Sequence, residues 1–219
     1  MKYFSFVSVS IPPIMNKILV IVLILSFSFT GFSQTLKEEY NACAVEKFQL
    51  KDYEGAIEYF TRVIEISPKD SMAYFDRAMV KELLHDYKGA IDDYTKQIAI
   101  DSGNVDSYFL RGILKNITKD YKSAIIDFTK ALKIESDNSD AFYERSVAHF
   151  ELQNLKESLN DCNEAITLNS ANAKYYLQKG KIYISMNQNN NACKEFNKYL
   201  ELGGEKNVVP ISMPCSERK

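Results

Sequence analysis

From Lys37 onward, apolar and small residues recur three and four positions apart in short runs broken by polar residues. That spacing places them on one face of a helix. The stretch Tyr108–Ile134 shows the pattern most clearly. Tyr108, Arg111, Gly112 and Lys115 mark one helix, and Tyr121, Ala124, Phe128 and Ala131 mark a second, with Lys119-Asp120 between them. The same marks return 34 residues to either side without insertion or deletion. The spacing therefore predicts five helical hairpins over 37–70, 71–104, 105–138, 139–172 and 173–206. One hairpin cannot bury its own apolar face, so the units must stack. The predicted fold is all-α, an α-solenoid of antiparallel helix pairs.

Four columns carry the packing. The fourth place of each unit holds Tyr40, Tyr74, Tyr108, Phe142 and Tyr176, and the twenty-fourth holds Phe60, Tyr94, Phe128, Cys162 and Phe196. The eighth holds Ala44, Ala78, Gly112, Ser146 and Gly180, and the twentieth Ala56, Ala90, Ala124, Ser158 and Ala192. Small residues at the last two places let the paired helices approach, and the aromatic residues fill the space around the crossing. On these residues the chain resembles the tetratricopeptide repeat in its helix-turn-helix form, over residues 37–204. The resemblance implies a right-handed superhelix with a concave groove, and binding of a peptide or partner protein as the usual task.

One column departs from the family pattern. The seventh place, usually a large aliphatic residue in that family, holds Cys43, Arg77, Arg111, Arg145 and Lys179. The twenty-third holds Tyr59, Asp93, Asp127, Asp161 and Glu195. Each unit with a base at seven has an acid at twenty-three. The expected struts are Arg77 with Asp93, Arg111 with Asp127, Arg145 with Asp161 and Lys179 with Glu195; a fork-shaped guanidinium suits a carboxylate between helices.

The resemblance also implies that the first helix of each unit lines the groove. The candidate groove residues are Asn41, Phe75, Met79, Phe109, Ile113, Asn116, Tyr143 and Phe150, with Phe75-Phe109-Tyr143 as an aromatic row. Aromatic side chains on a concave wall are suited to an apolar peptide or partner helix. Lateral packing is the alternative role for the same residues. The family's carboxylate clamp for acidic chaperone tails needs Lys at the fifth place and Asn at the ninth of one unit, and no unit has both.

The N-terminus follows different rules. Residues 3–33 contain a single charge, Lys17. Asn16-Lys17, the aliphatic run Ile18–Leu25 and the small-x-small site Gly31-Phe32-Ser33 are expected to form a cleaved signal peptide over 1–33, with Met15 as the expected true start. Its style resembles that of exported bacterial proteins, which points to the periplasm or the exterior. The apolar run is shorter than the ~20 residues of a membrane span, so membrane anchoring through residues 18–32 is the minor alternative. The tail 205–219 is expected to be a partial cap or a free tail. Cys193 and Cys215 are a candidate disulfide in an oxidising compartment, whereas Cys43 and Cys162 lie too many units apart to meet.

The net charge of -2 offers no steering toward nucleic acid. His85 and His149 lack ligands at metal-site spacing. No phosphate loop or hydrolase motif occurs, and Gly112 and Gly180 belong to the small-residue column. No cofactor is expected. The Asn116-Ile117-Thr118 sequon is discounted. The sequence points to a non-enzymatic protein-interaction module that binds an unidentified protein or peptide through the groove. A structural subunit of a cell-envelope complex, using the convex face or the array ends, is the alternative.

Overall fold

A computed structural model describes residues 33–209. The expected signal segment and its cleavage site, except for Ser33, lie outside these residues, as do Cys215 and the rest of the tail from 210. Among the described residues, positions 33–49 are helical (α1). Then come α2 (Tyr53–Ile66), α3 (Ser71–Leu83), α4 (Tyr87–Ile100), α5 (Val105–Ile117), α6 (Tyr121–Ile134), α7 (Ser139–Glu151), α8 (Leu155–Leu168), α9 (Ala173–Ser185), α10 (Asn189–Glu201) and a 3-10 turn (Lys206–Val208). Helix is thus already present at residue 33, ahead of Lys37. α10 begins at Asn189.

The repeat period sets the breaks through local hydrogen bonding. Asp52, Asp86 and Asp120 stand immediately before α2, α4 and α6, and their carboxylates accept from the backbone N–H of Gly55, Gly89 and Ser123. Asn104, Asn138 and Asn172 cap α5, α7 and α9 in the same way. Such caps satisfy amide groups that the helix leaves unpaired, at about 1 kcal/mol each. Asn154 and Gln188, which stand at the Asp position before α8 and α10, make no side-chain cap. The residue preceding each of these five positions turns the chain in the left-handed region: Lys51, His85, Lys119, Gln153 and Asn187 have φ between 59° and 64°. None is glycine, the residue that adopts this conformation without steric cost. Asn187 takes the same turn as the others, which is why α10 starts in phase with α2, α4, α6 and α8.

The described chain divides into two compact units, one ending at Ala73 and the other beginning at Tyr74. In the first, Ala44, Ala56, Phe60 and Val63 are buried, and Lys37 pairs with Asp70 at 3.0 Å. The second is an α-solenoid of stacked helix pairs. α5 packs on α6, α7 on α8 and α9 on α10 within pairs; α4 meets α5, α6 meets α7 and α8 meets α9 between pairs. Ala78, Ala90, Tyr94 and Leu114 form one core cluster, and Ala124, Phe128 and Ala148 form another. Gly112 is required here by close approach, because a Cβ at that position would meet the Phe128 ring at 2.7 Å. At the C-terminal end, Val209 packs against the cluster of Ala192 and Phe196, and the Glu205 N–H donates to the Tyr199 hydroxyl at 2.9 Å.

Candidate functional site

The paired columns at the seventh and twenty-third places meet between the helices of each hairpin in the second unit. Arg77 Nε and Nη2 donate to the two carboxylate oxygens of Asp93 at 2.8 and 2.7 Å. Arg111 does the same to Asp127 at 2.9 and 2.7 Å, and Arg145 to Asp161 at 2.8 and 2.7 Å. Lys179 reaches Glu195 at 3.0 Å. Two-pronged contacts of this kind fix orientation as well as adding charge-assisted hydrogen bonds.

Three further kinds of contact surround the struts. Lys81 and Lys115, one helical turn beyond the arginines, each add a second cation at 2.7 Å, to Asp93 and Asp127. In the fourth hairpin that place holds His149, whose Nε2 lies 3.9 Å from Asp161. Burial lowers the His149 pKa, and Arg145 adds to this while Asp161 opposes it. The fourth-place rings cover the guanidinium groups, with Arg77 5.8 Å from the Tyr74 ring centroid, Arg111 5.8 Å from Tyr108 and Arg145 5.5 Å from Phe142. Arg111 and Arg145 also reach backward, each donating to a threonine of the preceding hairpin: Thr95 at 2.9 Å and Thr129 at 3.0 Å. The sequence signals for these contacts were the basic eleventh column and the threonine twenty-fifth column.

The first helices of successive hairpins also touch one another. Phe75 of α3 and Leu110 of α5 share one cluster, Asn116 of α5 donates to the Glu144 backbone carbonyl of α7 at 3.1 Å, and the Tyr175 hydroxyl of α9 donates to Asp140 of α7 at 2.7 Å. They therefore form a continuous row. The candidate groove residues divide within it. Phe75 packs edge-on to Tyr94 and Phe109 edge-on to Phe128, with centroids 5.6 and 6.0 Å apart, and Tyr143 lies 5.2 Å from Tyr175. These rings are half-buried. Ile113 joins the Phe128 cluster, Phe150 is half-buried, and Asn116 is committed to α7. Met79 remains 38% exposed, and Leu83 and Ile117, one turn further along α3 and α5, are each 49% exposed. Asn41 is exposed in the first unit.

The fourth hairpin replaces the usual Gly/Ala-Ala-Phe core by Ser146, Ser158 and Cys162. The two serine hydroxyls cross-bond to each other's backbone carbonyls at 2.8 Å, and Cys162 Sγ donates to the Tyr175 carbonyl at 3.1 Å. Tyr175 is fully buried, and its ring lies beside Tyr143 as the twenty-fourth-place rings Tyr94 and Phe128 lie beside Phe75 and Phe109. Burial pushes the Cys162 thiol up to about 12. Cys43 and Cys162 are free thiols, and Cys193 is disulfide-bonded. Among the described residues there is no cluster of His, Cys, Asp or Glu that could hold a metal ion. No helix among them is long and apolar enough to cross a membrane.

Stacked helical hairpins with a continuous row of first helices and an invariant period define a tandem-repeat solenoid, a class built from one motif copied along the chain. The motif is the tetratricopeptide repeat: the sequence model of that family matches residues 40–70, 105–138 and 173–202, and the chain carries these repeats. Among solved structures, MamA is similar at a TM-score of 0.74 and 18% identity, covering 81% of this chain and 97% of MamA. YrrB, described as a TPR protein with an unusual peptide-binding site, gives a TM-score of 0.71 at 16% identity over 77% of this chain and 87% of its own. Pseudomonas aeruginosa pilF gives 0.65 at 18% identity, over 80% and 79%. Likeness at these identities is one of fold. No curated protein matches the sequence.

Proposed function

We propose that the protein is a non-enzymatic interaction module that binds a segment of a partner protein along the row of first helices. The observation that carries this reading is the contrast between what those helices bury and what they leave open. The struts and half-buried rings hold the row rigid, while Met79, Leu83 and Ile117 present apolar surface along α3 and α5. A rigid wall with apolar anchors is suited to capturing a peptide, because little ordering cost falls on the receptor side. The peptide-binding description of YrrB agrees with this use of the fold.

The test is selection from a displayed peptide library on the full-length protein, followed by Met79→Glu/Ile117→Glu. Loss of binding by the selected peptides, with unchanged helicity and melting, is the expected result. Selected peptides that bind this variant as tightly as the parent would place the interaction elsewhere, as an assembly subunit using the other face would require. We also propose that residues 1–33 direct export, on the strength of their leader, apolar run and small-residue site. A full-length protein that stays in the cytosolic fraction at its unprocessed mass would refute this. Finally, we propose that the disulfide of Cys193 is made with Cys215.

A further inference from the structure

The charges on the first helices are unevenly engaged. In α3, α5 and α7 every lysine and arginine, namely Arg77, Lys81, Arg111, Lys115 and Arg145, is bonded to an aspartate of the paired second helix. Four acids of the same three helices are not matched in this way. Among the described residues, Glu82, Asp106, Asp140 and Glu144 make no ion pair; Asp140 and Glu144 accept only from neutral donors, the Tyr175 hydroxyl and the Asn116 amide. Over α3, α5 and α7 the struts thus draw the positive charge inward between the helices and leave these four acids unmatched, with Lys174 of α9 the one cation whose field reaches Glu144.

The field of these acids reaches two phenols, one buried and one half-buried. The Tyr94 hydroxyl is fully buried, makes no hydrogen bond and lies in the field of Glu82, Asp106 and Asp76. Tyr143 lies in the field of Glu144 and Asp140. Burial raises the pKa of both Glu82 and Glu144, as expected of carboxylates held out of water without a full counter-charge. A cation brought beside them would offset that penalty. Exposed Met79, Leu83 and Ile117 lie on the same helices.

We propose that the partner segment is basic and apolar, with lysine or arginine side chains entering at Glu82 and Asp106 and at Asp140 and Glu144, and aliphatic side chains resting on Met79, Leu83 and Ile117. The proposal rests on the groove reading above and adds the chemistry of the occupant. Charge complementarity of this kind sets which partners are accepted and how fast they associate.

The test compares three synthetic peptides of one length, in which leucine alternates with lysine, glutamine or glutamate, for binding to the full-length protein by fluorescence anisotropy. The lysine peptide is expected to bind at least about tenfold tighter than the glutamine peptide at low salt and to weaken as salt rises. Glu82→Gln/Glu144→Gln is expected to remove most of that advantage while leaving glutamine-peptide binding and the melting temperature unchanged. Equal binding of the lysine and glutamine peptides, or preference for the glutamate peptide, overturns the charge assignment and leaves the groove reading standing. A lysine peptide whose binding is insensitive to both Glu82→Gln/Glu144→Gln and Met79→Glu/Ile117→Glu overturns both.

Discussion

Replacing a strut arginine should have a very different cost in the third hairpin than in the fourth. Asp127 is 1% exposed and takes both Arg111 and Lys115, the latter at 2.7 Å. With Arg111→Met the carboxylate keeps a full ionic partner, so the loss is confined to the hydrogen bonds of one guanidinium, about 1.5–3 kcal/mol. Asp161 has no such reserve. Its second neighbour is His149, 3.9 Å away and with its pKa lowered, hence neutral at pH 8. Arg145→Met therefore leaves a largely buried carboxylate unpaired, at about 3–5 kcal/mol. Urea unfolding of both variants at pH 8, followed by circular dichroism, measures the difference. The gap between Arg145→Met and the parent should also narrow as pH falls. In the parent, the lowered pKa of His149 contributes stability that is present above the unfolded-state value and is lost as pH falls. In Arg145→Met the arginine's repulsion is gone and Asp161 still attracts the proton, so His149 protonates more readily and restores a cation to the site. Equal costs for the two variants at pH 8, or a larger cost for Arg111→Met, would refute the reasoning.

Three other outcomes are expected. Lys119→Gly, at φ 64°, should raise stability by about 0.5–1 kcal/mol, read as a higher urea midpoint, and Asn187→Gly should gain less because asparagine tolerates the left-handed region better. Gly112→Ala should destabilise the parent, since the new Cβ meets a buried ring at 2.7 Å, yet should stabilise a Phe128→Leu background by about 1 kcal/mol through helix propensity; destabilisation in both backgrounds would count against the ring contact. Thiol titration of the unreduced, denatured protein should give two free thiols, Cys43 and Cys162, and four would exclude a bond between Cys193 and Cys215.

The fold was legible because its period is strict. A 34-residue recurrence of small and aromatic places locates both helices of every hairpin, and Asp86 and Asp120 mark the restarts through a local hydrogen bond that needs no tertiary context. The strut columns were legible for a related reason: base and acid change together from unit to unit, and the first unit, with Cys43 and Tyr59, lacks both. The groove was harder to read. Place within the repeat puts Phe75, Phe109 and Tyr143 on the first helices but does not say how far each ring turns toward its own second helix. The size of the residue it meets decides that, Tyr94, Phe128 or the incoming Tyr175. Asn116 read as an open polar residue because its partner, the Glu144 carbonyl, belongs to the next hairpin and carries no side-chain signature. The second cations Lys81 and Lys115 were visible as a basic column but pointed to no partner until the Asp oxygens were placed.

The contact between Cys162 and Tyr175 bears on how such a chain can change its length. Repeat arrays grow and shrink by duplication or loss of whole units, which requires each junction to accept any neighbour. The third and fourth hairpins meet that condition at the third place of the unit, which holds a small residue, Ser107 or Ala141. The junction between the fourth and fifth hairpins does not. Tyr175 brings a large ring to Tyr143, in the hairpin whose twenty-fourth place is Cys162; excision of the fourth hairpin would bring that ring to a hairpin that already holds Phe128, and excision of the fifth would leave Tyr143 without its ring partner. Loss or transplant of either hairpin alone therefore leaves a packing mismatch at this junction, whereas the two moved together, as a 68-residue module, keep their ring contact.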